Sequence, residues 1–309
     1  MAVLASRPQR TSVLQHREAR AGYLFILPWI LSLLIFTAYP VIASLYLSFT
    51  DYNIVSSPRW IGLENYRTLS SGDPSFWISV WNSAYYALIS VPVGLVVSLG
   101  LALILNMRAT GIGLYRTLFY LPSLAPPVAG TIIFVVMFNP RGGLINQVLQ
   151  MVGLPALGWF SDPTWAKPGL IILSLWGVGV GTLVFLAGLK EIPQSLLEAA
   201  AIDGANAWQR LRHVTLPLLT PVTLFNLVMG VIGSFQVFTS AFVIGGTTGT
   251  PLESTLMYMV LIYRNAFRYF KMGYASALSV LLFVTVLIVT LSIFRSARLW
   301  VFQEDGERE

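Results

Sequence analysis

Six long apolar runs, separated by short polar segments, leave this chain few ways to fold. They cover about Gly22 to Phe49, Trp77 to Leu105, Arg116 to Phe138, Gly169 to Leu189, Leu218 to Gly246 and Tyr274 to Phe294. A hydrocarbon core about 30 Å thick takes roughly 20 helical residues to cross. Inside it the backbone must hydrogen-bond to itself, so each run reads as a helix. Composition agrees, with 56% hydrophobic and 10% charged residues and a mean hydropathy of +0.72, far from soluble values. The expected fold is an all-α membrane protein with six transmembrane helices, an even number that puts both termini on one side.

The spans so drawn hold no Asp, Glu, Lys, Arg or His in their interiors. Ion-driven carriers, voltage sensors and membrane hydrolases need ionisable groups at depth. The chain therefore reads as a pore-former that draws power from elsewhere. With no cysteine, and with His16 and His213 both in polar segments, a metal site is not expected. The +6 net charge is dispersed along membrane edges, which suits lipid headgroups and not nucleic acid.

An inside amino terminus puts 12 Lys and Arg on inner segments: Arg7, Arg10, Arg17, Arg20, Arg108, Arg116, Lys190, Arg210, Arg212, Arg295, Arg298 and Arg308. The outer loops hold 7, namely Arg59, Arg67, Arg141, Lys167, Arg264, Arg268 and Lys271. This bias sets the orientation. Residues 1–21 read as a cytoplasmic tail that anchors topology, because the next apolar run is too long for a signal peptide and lacks a cleavage site. Residues 22–295 form the transmembrane domain, with a loop at 190–217, and 296–309 a second cytoplasmic tail. A short helix is expected near Ile145 to Val152. A further one, Leu252 to Tyr269, is cut by Arg264 and Arg268 and reads as interfacial. Gly177, Gly179 and Gly181 lie in an apolar span without a flanking strand, so Gly177 and Gly181 suggest close helix packing and not a phosphate loop.

The polar island Glu198 to Pro217, EAAAIDGANAWQRLRHVTLP, reads as two short helices with a hinge. Pro193 opens the first, Gly204 closes it, and roughly ten residues span only about 15 Å. Its charges forbid membrane insertion, and Ala199, Ala200 and Ala201 let a partner approach its backbone closely. Asn206 can cap the second helix, and Leu216, before Pro217, is expected to leave helical geometry. An ordinary amphipathic linker is the bland alternative. Among neutral polar candidates for solute contact, Asn226, Ser234, Gln236, Thr239 and Ser240 lie in the fifth span. Ser234, Val237 and Ala241 share one helical face, and Phe235 and Phe238 could stack on a sugar ring. Interhelical hydrogen bonding explains the same residues equally simply. Asn82 and Tyr85 are weaker candidates.

Glu198-Ala199-Ala200, three residues, Gly204, nine residues, Val214, one residue and Leu216-Pro217 resembles the cytoplasmic signature loop of binding-protein-dependent ABC importer permeases. Tyr39-Pro40, Ser48-Phe49-Thr50, Tyr115-Arg116, Leu121-Pro122, the run Gly233 to Phe238 and Gly273 to Ala277 extend the likeness to the carbohydrate permeases of the maltose and glycerol-3-phosphate type. Where those read Gly-Gly-Pro, this chain separates Gly245-Gly246 from Pro251. The resemblance implies the type I permease fold in a bacterial or archaeal inner membrane. It also implies a second permease, two ATP-binding subunits that carry ATP and Mg, and an extracytoplasmic solute-binding protein. Glu198, Ala199, Ala200, Asp203, Gly204, Leu216 and Pro217 would then dock the ATPase, and this chain would bind no cofactor. A permease for another small solute, or a passive channel or scaffold that needs no ATPase, stays open on the residues alone.

Overall fold

The computed structural model describes residues 13–107 and 109–302, with side chains from residue 20 onward. Arg7, Arg10, Arg108 and Arg308, counted above for orientation, lie outside that set. Helix α1 (Val13–Leu33) runs through a π-turn (Leu34–Ala38) into α2 (Tyr39–Leu47). A two-residue antiparallel ribbon, β1 (Thr50–Asp51) with β2 (Arg59–Trp60), and α3 (Glu64–Ser71) follow. Asp73 accepts a hydrogen bond from the Ser75 amide and Pro74 supplies the first turn, so α4 (Pro74–Leu105) starts sharply and runs 32 residues.

Helices α5 (Ile112–Leu124) and α6 (Pro127–Met137) meet at 96°. After α7 (Leu144–Met151) come α8 (Pro163–Ser174), a 3-10 turn (Leu175–Gly177) and α9 (Gly179–Glu191), bent by 48°. The island supplies α10 (Gln194–Ile202), α11 (Ala207–Arg210), a π-turn (Leu211–Thr215) and α12 (Leu216–Leu218). Then α13 (Thr220–Phe235), α14 (Thr239–Gly245), α15 (Tyr258–Tyr263), a π-turn (Arg264–Arg268) and α16 (Met272–Ala297) complete the chain. Among the described residues, four helical stretches are long and apolar enough to cross a membrane, and the two bent pairs, each counted as one span, bring the number to six.

The near right angle in the third span falls where Pro126 and Pro127 together remove two amide donors. Several expectations need correction. The fifth span breaks between Phe235 and Thr239, so Ser234 and Ala241 do not lie on one continuous helix. Leu216 stays helical, with φ −63° and ψ −43°. The π-turn before it explains this, since the Leu216 amide reaches back to Leu211 O and the widened turn clears the carbonyl that the Pro217 ring would strike. The same device precedes Pro40, where the Tyr39 amide donates to Leu34 O. The Leu252 to Tyr269 segment is not one continuous helix, and part of it packs inside the bundle. Its helix covers only Tyr258 to Tyr263, and Leu256, Met257, Val260 and Leu261 are buried against Phe76 and Leu278.

Packing concentrates toward the two ends of α4. One cluster joins Phe76 and Tyr86 to Leu170, Leu256, Leu261 and Leu278, and the other joins Ala102 and Leu105 to Phe185, Leu186, Leu189 and Leu219. Lipid tails are as apolar as leucine, so this association depends on close fit and not on escape from water. Gly188 shows the fit: a Cβ there would meet Val222 Cγ2 at 2.6 Å and Leu219 Cδ2 at 3.2 Å. By contrast α1 and α2 expose Phe25, Phe36 and Ile42 along their length.

Because Val222 is β-branched and stiff, Gly188→Val is expected to destabilise the bundle by about 1–3 kcal/mol. Thermal unfolding in detergent measures this, and pairing the change with Val222→Ala should restore most of the loss.

Candidate functional site

The island is an exposed knob. Helix α10 buries none of its residues, and at nine residues it is about 14 Å long. Its end is built as a Schellman motif. Gly204 takes φ +85°, its amide donates to Ala201 O at 3.1 Å, and the Ala205 amide donates to Ala200 O at 2.9 Å. A side chain at Gly204 would meet no neighbour within 4 Å, so the left-handed backbone alone makes glycine suitable. Asn206 and Gln209 then form a reciprocal capping box, each side chain bonding the other's backbone amide at 2.8–2.9 Å. Glu198, Ala199, Asp203 and Gly204 are exposed and Ala200 is half-buried. Ile202 and Trp208 stand 86% and 65% exposed beside them. Leu216 and Pro217 sit half-buried where the knob rejoins the bundle. Two large apolar side chains on a fully exposed helical corner form a surface that suits a protein partner.

A cavity of about 510 Å³ opens between α4, the α8–α9 bend and α13. Of the fifth-span candidates, Asn226, Ser234 and Val237 line it. Phe238 does not, being packed against Phe242 and Tyr263 at 5.2 and 5.1 Å between centroids. Phe235, Gln236, Thr239 and Ser240 also lie outside its walls. Gly181 packs closely, its would-be Cβ 3.1 Å from Ser98 Oγ and 3.4 Å from Asn226 Oδ1. Gly177 instead leaves open space and helps shape the wall.

Sequence reasoning missed the wall that α4 provides. Tyr86, Ser90 and Ser98 face the cavity, and Ser174 faces it from α8. The signal was present as polar residues at intervals of four and eight along an apolar helix, starting from Asn82. Asn82 itself is buried and donates to Glu253 O at 2.8 Å and Leu256 O at 3.1 Å.

The charge-free interior also needs revision, because α8 begins at Pro163 and takes in Lys167. Lys167 Nζ donates to Asn82 Oδ1 at 3.0 Å and lies 5.5 Å from the centre of the Tyr85 ring. Arg264, expected at a headgroup surface, is buried instead, with its side chain 9% exposed. It pairs with Glu253 at 3.2 Å, and the Ser75 hydroxyl donates to the same carboxylate oxygen at 2.8 Å. Nearby, the Tyr274 hydroxyl donates to Asp73 at 2.7 Å. Together these tie the loop before α15 to the first turns of α4 and α16.

A helical membrane component with an exposed helical corner and a cavity between broken helices is what the geometry describes. Residues 69–299 match the family described as binding-protein-dependent transport system inner membrane component, and the chain belongs to that family. It is 45% identical over 295 residues to the probable ABC transporter permease protein YesP of Bacillus subtilis, covering 94% of each chain. It is 35% identical to the trehalose/maltose transport system permease protein MalF of Thermococcus litoralis, covering 93% of this chain and 97% of that one. A solved bacterial ABC transporter involved in the import of the acidic polysaccharide alginate superposes with a TM-score of 0.80 at 25% identity, over 91% of this chain and 96% of that one.

Arg264→Met would strand the Glu253 carboxylate, and because that carboxylate keeps some solvent contact the expected loss is roughly 2–3 kcal/mol, below the usual range for a buried pair. The double variant Glu253→Gln with Arg264→Met should recover most of it in the same thermal unfolding assay.

Proposed function

We propose that this chain is one permease of an ATP-driven, binding-protein-dependent carbohydrate importer. It forms half of the translocation pathway and works with a second, related permease. The observation that carries the reading is the exposed knob, a short helix locked at its end by Gly204 and flanked by Ile202 and Trp208 with nothing covering them. Such a corner transmits force only when another protein grips it. Membership of the family supports the rest, as do relatives named for trehalose/maltose, lactose and arabinooligosaccharide transport.

On this reading loop 190–217 faces the cytoplasm, in line with the distribution of Lys and Arg. ATP hydrolysis occurs on a separate pair of subunits. Their closure moves α10 as a lever, with Glu198 as the orienting charge, Ala199 and Ala200 as the close-contact surface and Asp203-Gly204 as the bend. The movement reaches the bundle through Leu216 and Pro217. It then alternates access to the cavity beside Asn226, Ser234 and Val237. Solute arrives from a binding protein on the opposite face.

Gly204→Trp tests the lever. The assembled importer should keep its ATP hydrolysis but lose most solute uptake, because a bulky residue cannot hold φ +85° without a penalty of about 1–2 kcal/mol. Undiminished uptake in reconstituted vesicles would count against the coupling role.

A further inference from the structure

We propose that Thr220 is a positioning residue for coupling: it clasps the strap that follows α16 to the root of the knob, so that the sixth span moves with the lever. The inference deepens the importer reading and rests on it.

The clasp is a relay of two hydrogen bonds through one hydroxyl. The Phe302 amide donates to Thr220 Oγ1 at 2.8 Å, and Thr220 Oγ1 donates to Pro217 O at 2.6 Å. A threonine hydroxyl accepts while it donates, so both bonds form together. Phe302 lies 82 residues away along the chain and reaches Thr220 on a short strap. Beyond the last turn of α16 the Leu299 amide donates to Ser296 O, and the Trp300 and Val301 amides donate to Ala297 O, at 2.8–3.2 Å. The strap is therefore fixed to α16 on one side and to Thr220 on the other.

Two further observations give the clasp its weight. Thr220 opens α13 and directly follows Leu219, which is 1% exposed and packs with Ala102 and Leu105 of α4 and Phe185 of α9. The root of the knob is thereby already locked to α4, α9 and α13. Helix α16 is held differently. Its buried residues are Gly273, Ala275, Ala277 and Leu278 at one end and Ala297 at the other, while Phe283, Leu287, Ile288 and Leu291 between them are exposed. Packing secures α16 firmly at the end far from the knob, and beside the knob the strap adds an attachment that side chains supply only at Ala297. Local capping accounts for the bond from Thr220 to Pro217, since a hydroxyl reaches a carbonyl three residues back without help from elsewhere. It does not account for the bond from Phe302.

The complete importer, reconstituted in vesicles with its second permease, binding protein and ATP-binding subunits, supplies two readouts. One is ATP hydrolysis with and without the binding protein, and the other is uptake of trehalose, maltose, lactose and arabinotriose. Thr220→Val keeps the shape of the side chain and deletes both bonds. We expect basal hydrolysis to hold, while stimulation by the binding protein and uptake of any transported sugar fall about fivefold, the scale of one net hydrogen bond. Thr220→Ser should keep both. Because this chain has no cysteine, Thr220→Cys with Phe302→Cys can be joined by a short bis-methanethiosulfonate linker, with each single variant as control. Linking should restore the stimulation and uptake that the unlinked pair loses. A valine variant with unchanged stimulation and uptake overturns the proposal. So does a serine variant as impaired as valine, a loss of basal hydrolysis, or a linked pair no better than the unlinked one. Stimulation without uptake of any of the four sugars strikes only the carbohydrate class, because the clasp is still read through hydrolysis. If the unsubstituted importer shows no stimulation at all, the importer reading falls and the proposal with it.

Discussion

Every backbone amide and carbonyl in a lipid-embedded chain needs a partner within the protein, and in this bundle, whose helices are repeatedly broken, side chains from neighbouring helices supply partners at several of the breaks. The side chains that resolve the breaks can be named. Ser98 and Thr182 both donate to Val178 O, at the bend between α8 and α9. Arg116 donates through Nε and Nη2 to Leu105 O, the last carbonyl of α4. The irregular segment before α15 hangs on Asn82, whose amide nitrogen serves two of its carbonyls, and on Ser83, whose hydroxyl accepts from the Tyr258 amide at 2.9 Å. The Tyr258 hydroxyl in turn donates to Leu278 O. Interruptions that would be ruinous in a lone transmembrane helix become tolerable because a neighbouring helix supplies the missing bond.

This division of labour shapes the cavity. The same α4 face that mends backbone also presents Tyr86 and Ser90 to open space, so the wall of the cavity is held by a helix that is itself anchored at its first turns. The opposite end of the molecule is built differently. There α10 buries none of its residues, and its carboxyl end is closed by Gly204 and the capping box of α11. A rigid helix on a sparse attachment is well made to move as one body.

How much of this was legible beforehand follows from which interactions are local. The knob was readable because its determinants are adjacent in sequence: Gly204 for a left-handed residue, Asn206 for a helix cap, and a fixed spacing to Leu216-Pro217. The apolar runs were readable for the same reason, since length and hydropathy are local sums. The burial of Arg264 was not, because its partner Glu253 lies at the start of a segment that reads as one interfacial helix, and the apolar residues between them fit between α4 and α16. Lys167 was assigned to a loop because the apolar run that marks the fourth span begins at Gly169, whereas α8 already starts at Pro163, a first-turn proline. Asn226, Ser234 and Val237 were picked for being polar, or beside polar residues, in an apolar span, and that reasoning could not tell which would face the cavity, since the break after Phe235 resets the helical phase.

The π-turn at Leu211–Thr215 carries an implication for how this chain tolerates change in length. One π-turn holds a residue more than the α-helical turn it replaces, and because the extra residue is taken up by a wider turn, the helices on either side keep nearly the phase they would have without it. Asn226 and Ser234 therefore keep the angle at which they line the cavity, and a one-residue difference in length between the knob and α13 is absorbed at this point.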